Sequence, residues 1–184
     1  MPNFHIEGRQ KAMKDLQMNF MFEVSIPEIS KFAPSFKDED EFIIRAKTAS
    51  IPGKTIQTVE SYFMGMKSIY PSRVDYSNSL TVDFEETEDQ KVIKAIYEWQ
   101  NTIFNTVDSD ADTGHSKAES KRNGRTTNIF LKMYKYNGEI MENMVKFVNA
   151  FPSDISESGL DFAGGEAIRY SVTFSYDYWN LIKS

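Results

Sequence analysis

Residues 168–179 read IRYSVTFSYDYW, and the stretch alternates without a break. Ile168, Tyr170, Val172, Phe174, Tyr176 and Tyr178 fall on one side, and Arg169, Ser171, Thr173, Ser175 and Asp177 on the other. Successive side chains of a strand point to opposite faces, so the pattern predicts a sheet with one buried face and one polar face. The stretch is longer than the usual strand of about five or six residues. A strand this long, regular and aromatic calls for ladder partners, and the rest of the chain supplies them.

Residues 19–26 alternate in the same way, with Phe20, Phe22, Val24 and Ile26 on one face, until Pro27 removes a ladder donor. Residues 28–40 read as a loop with an acidic run beginning at Asp38. Residues 42–48 form a second strand, stopped by the turn Ile51-Pro52-Gly53, and residues 55–62 have the β-branched content of a third. Residues 62–78 are less regular. Leu80, Val82 and Phe84 then mark the core face of a further strand, with Thr81, Asp83 and Glu85 opposite. At Thr87 the period changes to helical: Thr87-Glu88-Asp89-Gln90 is a capping-box pattern, followed by Val92, Ile96, Trp99 and Ile103 as an apolar stripe. Residues 127–136 and 139–150 are two strands around Asn137-Gly138, a strong hairpin signal, and Phe151-Pro152 ends the pair. The expected fold is mostly β, a sandwich or barrel of antiparallel strands with one flanking α-helix. One domain spans residues 1–184, with a polar arm at 1–17 and a long charged loop at 105–126.

Composition excludes several classes of function. Hydrophobic residues are 40% and charged residues 26%, ordinary for a soluble globular domain, while aromatics at 14% favour strands and interfaces. No apolar run approaches the roughly 20 residues of a membrane helix, and the first fifteen residues are too polar for a secretory signal, so no membrane anchor is expected. There is no cysteine, hence no disulfide framework and no thiol chemistry, which suits assembly in a reducing cytoplasm. The net charge of −6 argues against a general binder of polyanions.

The search for a catalytic or metal site ends quickly. His5 and His115 are far apart in sequence, no nucleophile elbow is present, and no glycine-rich phosphate loop is present. No cofactor is expected, and the chain does not read as an enzyme. Asp108, Asp110, Asp112 and Glu119 reproduce most oxygen positions of a calcium loop. Thr113, however, stands where the sharp turn needs glycine, Gly114 comes one place late, and His115 replaces an aliphatic residue. An acidic solvated loop is the better reading. Lys117, Lys121, Arg122 and Arg125 follow as a basic cluster with no interleaved aromatics to stack bases.

Several pieces, in this order, resemble the tail tube proteins of contractile-tailed bacteriophages. They are the opening strand at 19–26, the strand running into Ala49-Ser50-Ile51-Pro52-Gly53, and a helix ending in the Glu98-Trp99-Gln100 region. The Phe151-Pro152 turn and the ending Asp177-Tyr178-Trp179 complete the set. The resemblance covers residues 19–179 and extends to secretion-system and injection-particle tubes. It implies a barrel-like subunit with one flanking helix, six of which form a ring whose inner sheets join, with rings stacking into a hollow tube that conducts DNA. It further implies sheath, baseplate and tape-measure partners, a place in the virion tail, and assembly in the host cytoplasm.

Physical argument assigns residues to these roles. Thr81, Asp83 and Glu85 are candidates for a lumen face, where negative character would let DNA slide without binding. Tyr62, Phe63, Met64, Met66 and Tyr70 are candidates for contacts between stacked rings, because methionine and aromatics supply adaptable apolar area. Tyr176, Tyr178 and Trp179 are expected to complete a sheet. Two alternatives stand beside this reading. One is a baseplate or tail-completion subunit that stops at a single ring. The other is a monomeric ligand-binding β-sandwich using Trp99, Tyr170 or Trp179 as a stacking platform.

Overall fold

The computed structural model describes residues 21–34, 45–103, 124–156 and 167–183. The arm at 1–17, the acidic run near Asp38, and nearly all of the loop at 105–126 lie outside them, with its calcium-like and basic clusters up to Arg122. The elements in chain order are β1 (Phe22–Ser25), α1 (Ile29–Phe32), β2 (Ala46–Ala49), β3 (Lys54–Phe63), β4 (Met66–Tyr76) and β5 (Ser79–Glu85). They continue with α2 (Lys91–Ile103), β6 (Thr127–Met133), β7 (Asn143–Ile155), β8 (Arg169–Ser175) and β9 (Tyr178–Lys183). No helix among these residues is long and apolar enough to cross a membrane.

Seven strands form one antiparallel sheet in the order β1-β6-β7-β8-β5-β2, with β9 also pairing β7. The sheet curls until its two end strands, β1 and β2, approach each other. One continuous core fills the curl, from Val24 and Leu131 on one limb to Leu80, Val82, Phe84 and Phe174 on the other. Helix α2 closes it with Val92, Ala95, Ile96 and Trp99, all fully buried. These four recur at helical spacing, which is why the helix can present one apolar stripe to the sheet. Trp99 stacks on Phe32 at 5.0 Å and touches Phe174 at 6.0 Å, while its indole N–H donates to the Arg125 carbonyl at 2.9 Å. A buried tryptophan with its polar handle satisfied is a core residue. Trp99 is therefore no ligand platform, contrary to the sandwich-module alternative.

Four local expectations are corrected. The stretch at 168–179 is not one unbroken strand: it divides at Tyr176-Asp177 into β8 and β9. Both halves nevertheless keep one register against β7, from Phe151↔Ser175 to Val148↔Tyr178. Phe151-Pro152 does not end β7, which runs on to Ile155 and changes partners there. Pro152, which lacks an N–H, sits beside a ladder irregularity that tolerates it. Residues 28–40 are not all loop, because Ile29 and Phe32 are buried on the short α1. The described residues thus hold two helices. Finally, β2 begins at Ala46, and residues 42–44 of the expected strand lie outside the described residues.

The start of α2 departs from the capping-box expectation. The Glu86 carboxylate accepts from the backbone N–H groups of Thr87, Val92 and Ile93 at 3.0, 3.3 and 2.8 Å. Arg45 Nη1 lies 3.5 Å from that carboxylate and donates to the Thr87 hydroxyl at 2.7 Å. Thr87 is thus engaged elsewhere, and a charged acceptor meets the orphan amides and the positive end of the helix dipole. Glu86→Ala should lower unfolding free energy by about 1–3 kcal/mol, by orphaning those amides. Urea unfolding followed by circular dichroism measures it; a loss under about 0.5 kcal/mol, the range of ordinary surface changes, would dismiss the cap.

Candidate assembly surface

β3 and β4 form a separate two-stranded sheet that leaves the body. The segment at 62–78, expected to be less regular, is mostly β4, laddered from Phe63↔Met66 to Thr58↔Pro71 and, after one register shift, from Ile56↔Val74 to Lys54↔Tyr76. Its loop is Met64-Gly65, with φ of 46° and 77°. Positive φ at both central residues is the two-residue turn whose twist matches that of the flanking strands.

The register sorts the hairpin's side chains into two faces. Val59, Phe63, Met66 and Tyr70 lie on one; Ile56, Tyr62, Ile69 and Val74 lie on the other. All eight are exposed, Phe63 at 72% and Met66 at 73%, and Met64 at the turn reaches 87%. The charges are partly matched within the hairpin, by a Lys67–Glu60 ion pair and by Gln57 donating to Asp75 at 2.8 Å. Hydrogen bonds from Lys67 and Tyr62 hold the Glu60 carboxyl below its usual range. An isolated two-stranded hairpin is at best marginally stable in water, and contiguous exposed apolar area marks an interaction site. With apolar side chains on both faces, this hairpin has no side designed for solvent.

At its root the hairpin is tied to β9. Trp179 Nε1 donates to the Gly53 carbonyl at 3.1 Å, and its ring meets Tyr76 edge-on at 6.3 Å. Lys54 Nζ lies 5.8 Å from the Tyr76 ring centre. Asn78 Nδ2 donates to the carbonyls of Tyr176 and Asp177 at 2.9 and 2.8 Å, and Asn149 Nδ2 to the Asp177 carboxylate at 2.7 Å. Tyr176 is buried against Phe147 at 4.9 Å, its hydroxyl 2.7 Å from Ser77 Oγ. Tyr178 and Trp179 stand opposite Val148 and Phe147 in the ladder. The Ala49–Gly53 turn and the Asp177-Tyr178-Trp179 ending thus meet in space, which their distance in sequence conceals.

Thr81, Asp83 and Glu85 lie away from the core on β5, opposite Thr173, Ser171 and Arg169 of β8. Lys47 pairs with Glu85 at 2.9 Å, and Thr48 donates to Asp83. The two carboxylates therefore share this face with two cations, Lys47 and Arg169, among hydroxyls. Exposed Asp154 of β7 stands opposite Thr173 on the same face, so three carboxylates meet these two cations. Hydrogen bonds from Ser171 and Thr48 hold the Asp83 carboxyl below its ordinary range. A depressed folded-state pKa contributes stability above the unfolded value, about 3.9, that is lost as pH falls through the folded one. Asp83→Asn should accordingly lower the urea midpoint slightly at neutral pH and not at all at strongly acid pH. A difference that grows on acidification would contradict the assignment.

Among the described residues no cluster of His, Asp and Glu could hold a metal ion. What the fold and this surface define is a building block: a curled β domain with an exposed apolar hairpin tied at its root to β9. The chain belongs to the phage tail tube protein family, whose sequence profile matches residues 15–182. It is a structural protein and not an enzyme. No curated protein sequence matches it significantly. Among solved structures, the fold is shared with a chain of the sheath–tube complex of an extracellular contractile injection system, PVC, in the extended state. That match has a TM-score of 0.64 and 17% identity over 96% of this chain and 97% of that one. The fold also recurs in the anti-feeding prophage cap, at TM-score 0.63 and 17% identity over 92% of each chain. A third instance is the PVC sheath/tube terminator, at TM-score 0.60 and 17% identity over 89% of this chain and 94% of that one.

Proposed function

We propose that the protein builds a phage tail tube by forming hexameric rings that stack, leaving a lumen through which DNA passes during ejection. The observation that carries this reading is the β3–β4 hairpin with apolar residues on both faces. A monomer gains nothing from such an arm, whereas a stacked assembly covers it. In this reading Tyr62, Phe63, Met64, Met66 and Tyr70 make the contacts between rings. Thr81, Asp83 and Glu85, with Lys47, Thr173 and Arg169 around them, line the lumen. A hydroxyl-rich face whose two cations are offset by carboxylates gives phosphate little to hold, since retention of DNA grows with uncompensated cations. Tyr176, Tyr178 and Trp179 complete the sheet from which the hairpin departs. Sheath, baseplate and tape-measure proteins are the partners outside, below and within the tube, and the protein resides in the virion tail after assembly in the host cytoplasm.

Sedimentation velocity across a wide concentration range, with negative-stain imaging of the fast fraction, tests the proposal. Stacked rings or tubes are expected without any cofactor. Single rings that never stack would assign the chain to a baseplate or tail-completion position. A monomer at every concentration would end the tube reading.

A further inference from the structure

The hairpin's angle to the body is set at a break in the backbone ladder. The β2–β5 pairing runs to Ala49↔Val82, with one more bond from Ser50 N–H to the Thr81 carbonyl. The β3–β4 pairing starts at Lys54↔Tyr76. Between them lie residues 51–53 on one strand and Ser77-Asn78 on the other. Asn78 has φ of 53°, and no atom approaches within 4 Å of where a Gly53 side chain would begin. Such a junction resembles a hinge. Side chains bridge it: the Trp179 indole N–H reaches the Gly53 carbonyl, its ring abuts Tyr76, and Asn78 grips the carbonyls of Tyr176 and Asp177. Trp179 itself stands on firm ground, because β9 continues the register of β8 against β7.

We infer that Trp179, assisted by Asn78, is the positioning residue of the hairpin, holding β3–β4 at the angle in which it meets the next copy of the chain. The inference rests on the assembly reading above. Its physical basis is pre-organisation: an arm already held in its bound direction loses less conformational freedom on association than a swinging one. The indole N–H bond and the edge-on ring contact join a strand of the body to the chain entering the hairpin, a link the ladder itself lacks. This also gives a reason why the turn at Ala49–Gly53 and the ending at Asp177–Trp179 occur in one sequence.

The test compares native protein, Trp179→Phe and Trp179→Ala as full chains. Phenylalanine keeps an aromatic ring against Tyr76 and removes the donor to Gly53. The readouts are thermal melting of the dilute subunit, amide hydrogen exchange resolved to segments, and the critical concentration for assembly. Trp179→Phe is expected to melt as the native subunit does, with faster exchange confined to residues 54–56 and 74–76. Its critical concentration should rise about five-fold, the scale of one lost hydrogen bond in an equilibrium constant. Trp179→Ala should raise it further. Assembly of Trp179→Phe at the native threshold overturns the inference. So does a lowered melting temperature with exchange raised throughout the body, which would make Trp179 an ordinary packing residue. If the native chain never assembles, the tube reading fails by itself. Segment-confined exchange in Trp179→Phe would still uphold the hinge lock, and unchanged exchange would refute it.

Discussion

A chain lacking residues 174–184 is expected not to accumulate as folded soluble protein. The deletion removes Phe174, fully buried against Trp99, and Tyr176, buried against Phe147. It also removes all of β9 and leaves the Asn143–Val148 edge of β7 unpaired. Loss of one buried phenylalanine side chain costs about 3–5 kcal/mol, against a total stability of about 5–15 kcal/mol for a domain. Two buried aromatics and a strand therefore exceed what the remaining contacts can offset, and the exposed ladder edge of β7 invites aggregation. Soluble yield and circular dichroism read the outcome. Phe174→Ala alone should still fold, with a urea midpoint lowered by an amount equivalent to about 3–5 kcal/mol. A truncated chain that folds and sediments like the native one would show that the strand is an appendage.

That same strand shows how far the sequence can be read. Alternation gave the right face for Val172, Phe174 and Tyr176, which are buried, because burial on one side imposes the period directly. Beyond the break it failed, since Tyr178 is exposed and Trp179 packs against the core instead. The division at Tyr176-Asp177 left no trace in the alternation. It arises from tertiary contacts, with Asn149 and Asn78 holding the Asp177 carboxylate and the local carbonyls while β5 ends and β4 turns away. Pro152 misled for a related reason. Proline forbids a ladder donor locally, but β7 places it at an irregularity where no donor is needed. The Glu86 cap was illegible because the capping-box pattern looks three residues ahead, whereas a buried carboxylate held near Arg45 reaches six and seven residues ahead, to Val92 and Ile93.

The candidate surface was legible in kind and not in form. Apolar density at Tyr62, Phe63, Met64, Met66 and Tyr70 pointed away from a simple core strand. What the sequence concealed was that the preceding strand, β3, carries matching apolar residues, Ile56 and Val59, so that both faces of one hairpin are unsatisfied. Composition likewise pointed to an acidic surface, but net charge is a property of the whole chain. On the face of β5 and β8, Lys47 and Arg169 come from strands distant in sequence and offset Asp83 and Glu85, while Asp154 adds a third carboxylate.

The hairpin's exposure sets up the second large effect, in Met64→Glu/Met66→Glu. Both side chains are mostly in solvent in the isolated subunit, 87% and 73% exposed, so two carboxylates there desolvate nothing on folding. Surface substitutions of this kind change stability by about 0.5 kcal/mol or less, and φ at Met64 is no less favourable for glutamate than for methionine. The circular dichroism spectrum and melting curve should match those of the native subunit. Assembly should not survive. In the proposed stack these positions are covered by another copy, and burying an uncompensated charge costs about 3–5 kcal/mol, enough to weaken each contact more than a hundred-fold. Size-exclusion chromatography with negative-stain imaging should show rings that fail to stack at concentrations where native protein forms tubes. A variant that polymerises normally would mean the hairpin tip faces solvent in the tube. One that unfolds would place Met64 and Met66 in the subunit's own core, against their exposure. The double change discriminates because the same carboxylates are harmless in water and prohibitive in an interface, so the loss of tubes from a fully folded subunit has no explanation in the monomer.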